Sequence, residues 1–397
     1  MKKRSTEVIQ KMDASKQFCP YLECKSRGQI GQENIVVHQR SRPRYKCKTC
    51  ERTFSAKAGT ALEGIRKPED LFITVSSLLS QGCPIQAIVY TYHLDERTVA
   101  AWRDRAGRQC EKVHKAMIEQ EKLDLKHVQI DEIRAKAKGS VLWIGLAVMV
   151  KTRLWIAGKV SKTRDRNLAD QLLQQVYRCC KKWCAILICT DGWKPYPNSI
   201  RKAFREKVKE TPGPGVPRKV IWPDLHIGTV IKRRVKMRLK EVDEQVTHGT
   251  EEMVQKLLTL SRGGSMINTS HIERFNGTMR ERLASLTRKC RHASAKEEAF
   301  HTGMYLVGSV YNFCTAHHEL SKSTTEWGFG WPCTPAMASG LTYHVWSVKD
   351  LLTYKVVPPP LPIMKKKVRS SNKKERNQSV TKKRVVRLRK GVLCSTI

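Results

Sequence analysis

Residues 127–161 read HVQIDEIRAKAKGSVLWIGLAVMVKTRLWIAGKVS, and this stretch decides the fold. It contains three runs rich in apolar and β-branched residues, at 127–133, 140–150 and 153–161. Short polar breaks, one of them holding Gly139, separate the runs. Runs of this length bounded by turn residues predict β-strands. We therefore expect three consecutive strands, joined as an antiparallel meander.

The elements predicted after this meander alternate between helices and strands. The pattern predicts a helix over 165–182 with Asp165 as its cap, a strand over 185–191, a helix over 198–209 and a short strand over 219–222. A segment at about 225–270 looks like an insertion, and a helix carrying Glu273 follows it. This order of elements is similar to that of ribonuclease-H-like domains. The sequence thus predicts an α/β fold with a mixed sheet.

Two aspartates end apolar strands, and a glutamate lies on a later helix. Asp131 lies in the first strand of the meander, Asp191 closes ICTD, and Glu273 lies in HIERFNG. An ionised carboxylate at the edge of a buried strand is costly unless it is paired or bound to a metal. Carboxylates suit a hard cation such as Mg²⁺ or Mn²⁺. We therefore predict that these three acids hold divalent metal.

Other polar residues near these acids are weaker candidates for the same site. Asn276 and Arg280 follow Glu273 at i+3 and i+7 and therefore share its helical face. Asp224 and His226 end a possible strand near the site. We do not expect the neighbouring Glu132 or Asp124 to be ligands.

The charge of the chain points to a polyanionic partner. Its 397 residues contain 75 Lys and Arg against 36 Asp and Glu, a formal net charge of +39. Such an excess favours nucleic acid or an acidic membrane surface. The chain contains no apolar stretch of about 18 residues that could span a bilayer, and its N-terminus, MKKRSTE, leads into polar sequence. We expect a cytoplasmic, nucleoid-associated protein that binds double-stranded DNA and not membrane.

Four cysteines near the N-terminus form two close pairs. Cys19 and Cys24 make the first pair, and Cys47 and Cys50 make the second. Tetrahedral zinc takes four soft donors, and two cysteine pairs on turns supply them. In a reducing compartment such cysteines are more often metal ligands than disulfides. We predict a structural Zn²⁺ site in which no open position remains for catalysis.

The segment after these cysteines has a helical pattern. Apolar residues recur at helical spacing from residue 68 to about 120, and Asp95 can cap the helix that starts there. This pattern is typical of a helix-turn-helix whose second helix, 95–105, enters the major groove. The predicted DNA contacts are Arg97, Thr98, Arg103 and Arg105. An ordinary pair of amphipathic helices is the alternative.

These observations divide the chain into four parts. A four-cysteine zinc-binding module covers 1–60, a helix-turn-helix domain 61–120, a catalytic domain 121–320 with the insertion at about 225–270, and a C-terminal extension 321–397. The extension ends in a basic tail. Its residues 365–390 contain 13 Lys and Arg and one acidic residue.

Several motifs resemble those of insertion-sequence-one type transposases, which are bacterial DDE recombinases. The likeness covers Cys19 to about His318, and its strongest parts are YKCKTC, GCPIQAI, QIDEI, TDGWKPY and HIERFN. The resemblance implies that Asp131, Asp191 and Glu273 are the catalytic acids and that a histidine belongs where His226 stands. It implies cleavage at the element ends and joining of the freed 3′-hydroxyls to target DNA. Two features depart from the family pattern, namely the wider first cysteine pair and the insertion.

A transposase must bind DNA along its active-site helix and hold two element ends together. Arg274 and Arg282 flank the face of Glu273 and are predicted to contact DNA. Because two ends must be held, we expect a homo-oligomer on DNA. A zinc and helix-turn-helix regulator with an inert ribonuclease-H-like domain is one alternative. A structure-specific or RNA-cleaving nuclease is another.

Overall fold

The computed structural model describes residues 12–209, 216–235, 238–286, 296–322 and 330–358. Within them the strands are β1 Ile35–Gln39, β2 Arg44–Cys47, β3 Thr53–Ser55, β4 His127–Ala137, β5 Ser140–Met149, β6 Trp155–Ser161, β7 Ile186–Asp191, β8 Arg205–Val208, β9 Arg218–Ile221, β10 Leu225–Val235 and β11 Arg238–His248. The helices are α1 Glu69–Ser80, α2 Ile85–Tyr92, α3 Glu96–His114, α4 Arg166–Cys179, α5 Pro195–Ala203, α6 Glu251–Ser261, α7 Ser270–Arg282, α8 Glu297–Phe313, α9 His318–Lys322, α10 Pro335–Ala338 and α11 Val348–Thr353. The basic tail lies outside the described residues.

A mixed six-stranded sheet forms the centre of the fold, with the order β11-β10-β7-β4-β5-β6. Strands β4, β5 and β6 pair antiparallel to one another, so the predicted meander is confirmed. Strand β7 is parallel both to β4 and to β10, and β11 returns antiparallel to β10. The predicted α/β fold with a mixed sheet is therefore correct.

The predicted helix after the meander is α4, and it is capped as expected. The Asp165 carboxylate accepts a hydrogen bond of 3.0 Å from the backbone N–H of Leu168. Such a cap satisfies one of the N–H groups that the first helical turn leaves without a partner. The buried face of α4 includes Leu168, Leu172 and Val176, whose spacing places them on one side of the helix.

Around the fifth sheet strand, the predicted strand at 219–222 is confirmed, but the helix predicted before it ends earlier than expected and the next strand of the sheet lies elsewhere. The segment predicted as a strand at 219–222 forms β9, which pairs with β8 in a separate two-stranded ribbon. Strand β8 occupies the end of the segment that was predicted to be helical, so α5 ends at Ala203. The fifth strand of the sheet is β10, which lies inside the predicted insertion. Its alternating apolar residues Leu225 and Ile227 are fully buried, and this burial holds it in the sheet.

The helices before the sheet share a hydrophobic core with it. Residues of α1, α3, β4, α8 and α11 belong to one buried cluster. Helix α3 packs closely on α8, because a Cβ placed at Gly107 would overlap the backbone of Thr302. The Thr302 hydroxyl donates to Asp104 at 2.7 Å. The helices before residue 120 and the sheet after it therefore share one hydrophobic core, and the predicted boundary at residue 120 does not divide it.

Part of the predicted C-terminal extension also belongs to this core. Leu351 and Leu352 of α11 are fully buried, and the side-chain amide of Gln109 donates to the carbonyl oxygen of Tyr354 at 2.6 Å. The N-terminal cysteine segment has a small core of its own, which includes Ile35, Tyr45 and Phe54. Among the described residues, no helix is both long and apolar enough to cross a membrane.

Candidate metal centres

Asp131 and Asp191 lie next to each other because their strands are parallel neighbours. In the register of β4 and β7, Ile130 pairs with Thr190, so the residue that follows in each strand is an aspartate. One carboxylate oxygen from each of Asp131, Glu132 and Asp191 lies within 4.8 Å of the other two. We name these three residues the carboxylate cluster. Three oxygens this close together could hold a metal ion.

Glu132, which was not expected to be a ligand, is nevertheless a member of this cluster. Only 1% of its side chain is exposed, and its Oε2 accepts a hydrogen bond of 3.0 Å from Arg164. The backbone N–H of Glu132 donates to Asp131 Oδ1 at 2.8 Å, which ties the two neighbours together. Simple alternation along a strand would send adjacent side chains to opposite faces. That rule is why the pattern did not indicate Glu132.

Helix α7 lies across β4 and brings two predicted residues toward the cluster. The side-chain amide of the buried Asn276 donates to Asp131 Oδ2 at 2.8 Å. Glu273 accepts a hydrogen bond of 2.7 Å from the Thr269 hydroxyl and also pairs with Lys232 of β10. Glu273 is not one of the three acids within 4.8 Å. Its negative charge nevertheless contributes to raising the pKa of Asp131.

Burial and like charges make these acids harder to ionise. Burial raises the pKa of Asp131 to about 6, and the charges of Asp191 and Glu273 add to the effect. Burial likewise raises the pKa of Glu132 to about 7, and Asp191 again contributes. A cation placed among carboxyl groups whose pKa values are raised in this way stabilises their ionised form. The cluster therefore favours a bound cation.

Arg164 supplies part of the missing positive charge, and no pattern in the sequence indicated this role. Its guanidinium reaches Glu132 at 3.0 Å and Asp191 at 3.3 Å. It also lies over two indole rings, 5.2 Å from the centroid of Trp143 and 4.7 Å from that of Trp193. Such cation–π contacts fix the orientation of the guanidinium. The arginine comes from the loop before α4, far from either aspartate in sequence.

Two second-tier candidates, Asp224 and His226, lie away from the cluster. In the pairing of β10 with β7, His226 stands opposite Leu187, whereas Val230 stands opposite Asp191. Positions 226 and 230 are four residues apart along β10, which is about 13 Å in an extended strand. His226 is buried, and its Nδ1 accepts a hydrogen bond of 3.4 Å from the backbone N–H of Thr250. The prediction that these residues end a strand near the acids is therefore wrong, because they begin the strand.

The three candidate arginines of α7, which are Arg274, Arg280 and Arg282, have different surroundings. Arg274 is exposed, and Arg280 is half-buried. Arg282 donates to the Thr315 hydroxyl at 3.2 Å, which ties the end of α7 to the segment after α8.

Helices α2 and α3 are consecutive and are joined by residues 93–95, as expected for a helix-turn-helix. Asp95 caps α3 by accepting from the backbone N–H of Arg97 at 2.8 Å. The side chain of Arg97 is exposed and that of Thr98 is half-buried.

The two other predicted DNA contacts of α3 bind neighbouring groups of the protein. Arg103 pairs with Asp104 at 2.8 Å, and Arg105 donates to the backbone carbonyl oxygens of Ala61 and Glu63. The structure therefore presents Arg97 outward and holds Arg105 against the segment before α1. A cationic side chain tied in this way is less available to a groove of DNA.

The four N-terminal cysteines converge as the spacing predicts. Their sulfur atoms lie within 4.8 Å of one another, with 3.7 Å between Cys19 and Cys50 and 3.8 Å between Cys24 and Cys47. Four thiolates about 2.3 Å from one tetrahedral ion would have sulfurs about 3.8 Å apart. Burial raises the pKa of the Cys47 thiol, but N–H groups of Cys50 and Thr49 donate to it and the net pKa falls to about 7. The group could hold a metal ion.

Comparison of the chain with protein-family models matched none of them, and comparison with curated proteins gave no significant match.

Proposed function

We propose that this protein is a DNA transposase that cuts the ends of an insertion element and joins them to target DNA. The observation that carries the proposal is the carboxylate cluster at the point where the parallel pairing of β4 and β7 ends, with Glu273 on the neighbouring helix α7. The net charge of +39 supports a nucleic-acid substrate.

The topology supports a ribonuclease-H-like domain. In such domains an antiparallel meander is followed by a helix and by a strand parallel to the first. The sheet order β10-β7-β4-β5-β6 matches that arrangement, with Asp131 on the first strand of the meander and Asp191 on the next parallel strand. The two acids of the motif are thereby neighbours although they are far apart in the chain.

Each residue of the site has a proposed task. Asp131, Asp191 and Glu273 bind divalent metal, Mg²⁺ or Mn²⁺. Such ions, when bound, activate an attacking water or 3′-hydroxyl and neutralise charge on the leaving oxygen. Asn276 orients the Asp131 carboxylate through its hydrogen bond. Arg164 holds Glu132 and Asp191 in position, and the Trp143 and Trp193 rings hold Arg164.

The N-terminal parts are proposed to bind the element ends. The spacing of the four sulfurs fits Zn²⁺, and an ion with four protein thiolates has no open position for catalysis. We assign it a structural role in a DNA-binding module. Arg97 at the exposed start of α3 is the strongest candidate for a DNA contact among the helix residues. A homo-oligomer assembled on DNA would hold two ends at once.

A strand-transfer assay tests this proposal. Purified protein is mixed with DNA from the flanks of its own gene and with Mg²⁺ or Mn²⁺, and cut and joined products are measured. Removal of a carboxylate that acts with the others should reduce the rate at least about 10³-fold. We expect this loss for Asp191→Asn. Asp224→Asn serves as the matched control, because Asp224 directly precedes β10, beside the start of β7 and away from Asp191 at its end.

The other outcomes of the assay discriminate between functions. Tight binding to the flanks without any cleavage by the unmodified protein would favour a DNA-binding regulator. Cleavage of branched DNA or of RNA without joining would favour a structure-specific nuclease. Equal cleavage by Asp191→Asn and the unmodified protein would contradict the assignment of the site.

A further inference from the structure

A cavity of about 310 Å³ lies beside α7, on the face of the helix away from the carboxylate cluster. Glu273, Asn276 and Arg280 share one face of α7, whereas His271, Arg274 and Thr278 share the opposite face. The second face lines the cavity. The turn between β5 and β6 contributes Arg153, and α8 contributes Tyr311. The remaining polar side chains are His317, which follows α8, and His318 and Glu319 of α9.

The charges around this cavity are mainly positive. Arg153 and Arg274 both line it, and Glu319 is the one acidic residue of its lining within the described part of the chain. The Glu319 carboxylate is engaged by Lys322 at 3.6 Å and by His318 at 3.3 Å. The one carboxylate of the lining is therefore already paired, and the guanidiniums of Arg153 and Arg274 leave an excess of positive charge in the cavity. An anionic ligand would offset that excess.

The two inner histidines differ in their hydrogen bonds. Arg153 donates to His271 Nδ1 at 3.1 Å, so a neutral His271 ring carries its proton on Nε2. The Nε2 atom of His317 is shielded from solvent and has no hydrogen-bond partner among the described residues. Burial, together with the positive charges of Arg153, Arg282 and Arg274, lowers the pKa of His317 to about 4. A buried polar atom without a partner is costly. The Nε2–H of His271 is the histidine donor that this geometry offers to an anion.

We propose that this cavity binds a phosphate group, and that the phosphate belongs to the backbone of the DNA strand whose cleavage site lies at the carboxylate cluster. The inference rests on the proposed function. Guanidinium groups suit phosphate because they donate paired N–H groups to its oxygens. An α-helix is about 10 Å across, so the bound phosphate would belong to a nucleotide near the one whose phosphate lies at the acids.

The first test measures DNA affinity without divalent ions, so it does not depend on cleavage. A labelled 30-base-pair duplex is titrated with the full chain by fluorescence anisotropy between 50 and 200 mM NaCl. Loss of one phosphate contact should reduce the slope of log K against log salt by about 0.9. We expect this reduction for Arg274→Gln, which removes an exposed charge and leaves the core intact. Thr278→Glu, which adds a negative charge to the same wall, should weaken binding further.

The matched control is Arg205→Gln, because Arg205 is also an exposed arginine but lies on the β8–β9 ribbon. Equal slopes for the Arg274 and Arg205 variants, together with unchanged binding by Thr278→Glu, would overturn the proposal.

The second test identifies the source of the phosphate. Histidine ring signals of the full chain are followed by NMR while inorganic phosphate or the duplex is added, and His317 is assigned with His317→Gln. A shift of the His317 signal with both probes, lost in Arg274→Gln, supports a phosphate of the strand. A shift with inorganic phosphate alone overturns the strand assignment and indicates a site for free phosphate. A His317 signal that neither probe moves overturns the site.

These results are separable from the proposed function. A protein that binds duplex through the cavity but never cuts DNA with metal would keep the phosphate site and lose the transposase assignment. If the protein cuts and joins DNA but Arg274→Gln has an unchanged salt slope, the transposase assignment stands and the phosphate site is overturned.

Discussion

The cysteine group and the carboxylate cluster are two candidate metal sites built in opposite ways. The four cysteines lie within 32 residues of sequence, on turns of a small segment with its own core. The carboxylates come from β4 and β7, and the large sheet brings them together. The thiols have one another as neighbours, whereas the acids already have the cations Arg164 and Lys232 beside them. A local site depends on its metal for stability, whereas an assembled site depends on the fold.

The first and largest expected effect breaks the cysteine group. Cys47→Ser removes one of four ligands, and structural zinc contributes about 10–16 kcal/mol of apparent free energy in small modules. We expect the variant to lose bound zinc and the structure of residues 12–58. The sheet should stay folded because its core is separate. Zinc content by elemental analysis and protease sensitivity of the N-terminal segment measure the two effects.

Cys83→Ser is the matched control, since Cys83 is half-buried and lies outside the cysteine group. It should retain the zinc content of the unmodified protein. If Cys47→Ser kept a full equivalent of zinc, or if the sheet unfolded with the module, the contrast between local and assembled sites would fail.

The same contrast explains what the sequence could predict. The cysteine group followed from spacing alone, because its ligands lie close together in the chain and turns position them. Asp191 was predictable from the end of its strand, whereas Asp131, which was also expected at a strand end, lies within β4 where the pairing with β7 stops. The third member of the cluster, Glu132, was not predictable, because strand alternation predicts that it points away. Arg164 was not predictable either, since its position depends on two indole rings from separate elements.

The errors around β10 have a related cause. Basic residues from Lys232 onward made this segment read as an insertion. The first half of β10 is apolar and pairs with β7, whereas its second half continues past the end of that pairing with β11 alone. The first half of β10 lies inside the sheet and the second half extends beyond it. The residue composition averaged over the whole strand therefore predicts neither half correctly. The polar second half brings Lys232 to Glu273.

The second prediction concerns Glu132, the member of the carboxylate cluster that the sequence did not predict. Glu132→Gln keeps the size of the side chain but removes the charge that Arg164 binds at 3.0 Å. Outer residues that orient metal ligands typically change metal affinity or activity by about 10–100-fold. We expect the Mg²⁺ concentration for half-maximal cleavage to rise by about tenfold. Titration of the cleavage rate with Mg²⁺ measures this change.

Glu252→Gln is the control for this substitution, because Glu252 is an exposed residue at the start of α6. It should leave the Mg²⁺ dependence unchanged. An unchanged dependence in Glu132→Gln as well would remove Glu132 from the site and leave Asp131 and Asp191 as its inner acids.

The smallest expected effect concerns stability against pH in the absence of added divalent ions. Burial raises the pKa of Asp131 from 3.8 to about 6 in the folded protein, and the charges of Asp191 and Glu273 contribute. Between these values the folded state binds more protons than the unfolded state, so stability falls as the pH rises through this window. After allowance for the partial exposure of Asp131, the ionised group costs about 1–2 kcal/mol at pH 7. Asp131→Asn should therefore be more stable than the unmodified protein at pH 7, and the gain should shrink toward pH 4.

Urea unfolding between pH 4 and pH 7.5 measures this difference, and an opposite case in the same chain checks the sign. Hydrogen bonds from Thr163 and from the backbone N–H of Leu168 lower the pKa of the exposed Asp165. Its stabilising effect is present above its unfolded pKa and is lost as the pH falls, so Asp165→Ala should be less stable at pH 7. Added Mg²⁺ should stabilise the unmodified protein and not Asp131→Asn, because only the former has the full set of carboxylates. If Asp131→Asn were the less stable protein at pH 7 without Mg²⁺, the cations already beside the acids would be sufficient to offset their charge. The carboxylate cluster would then differ from the cysteine group in needing no metal ion for its stability.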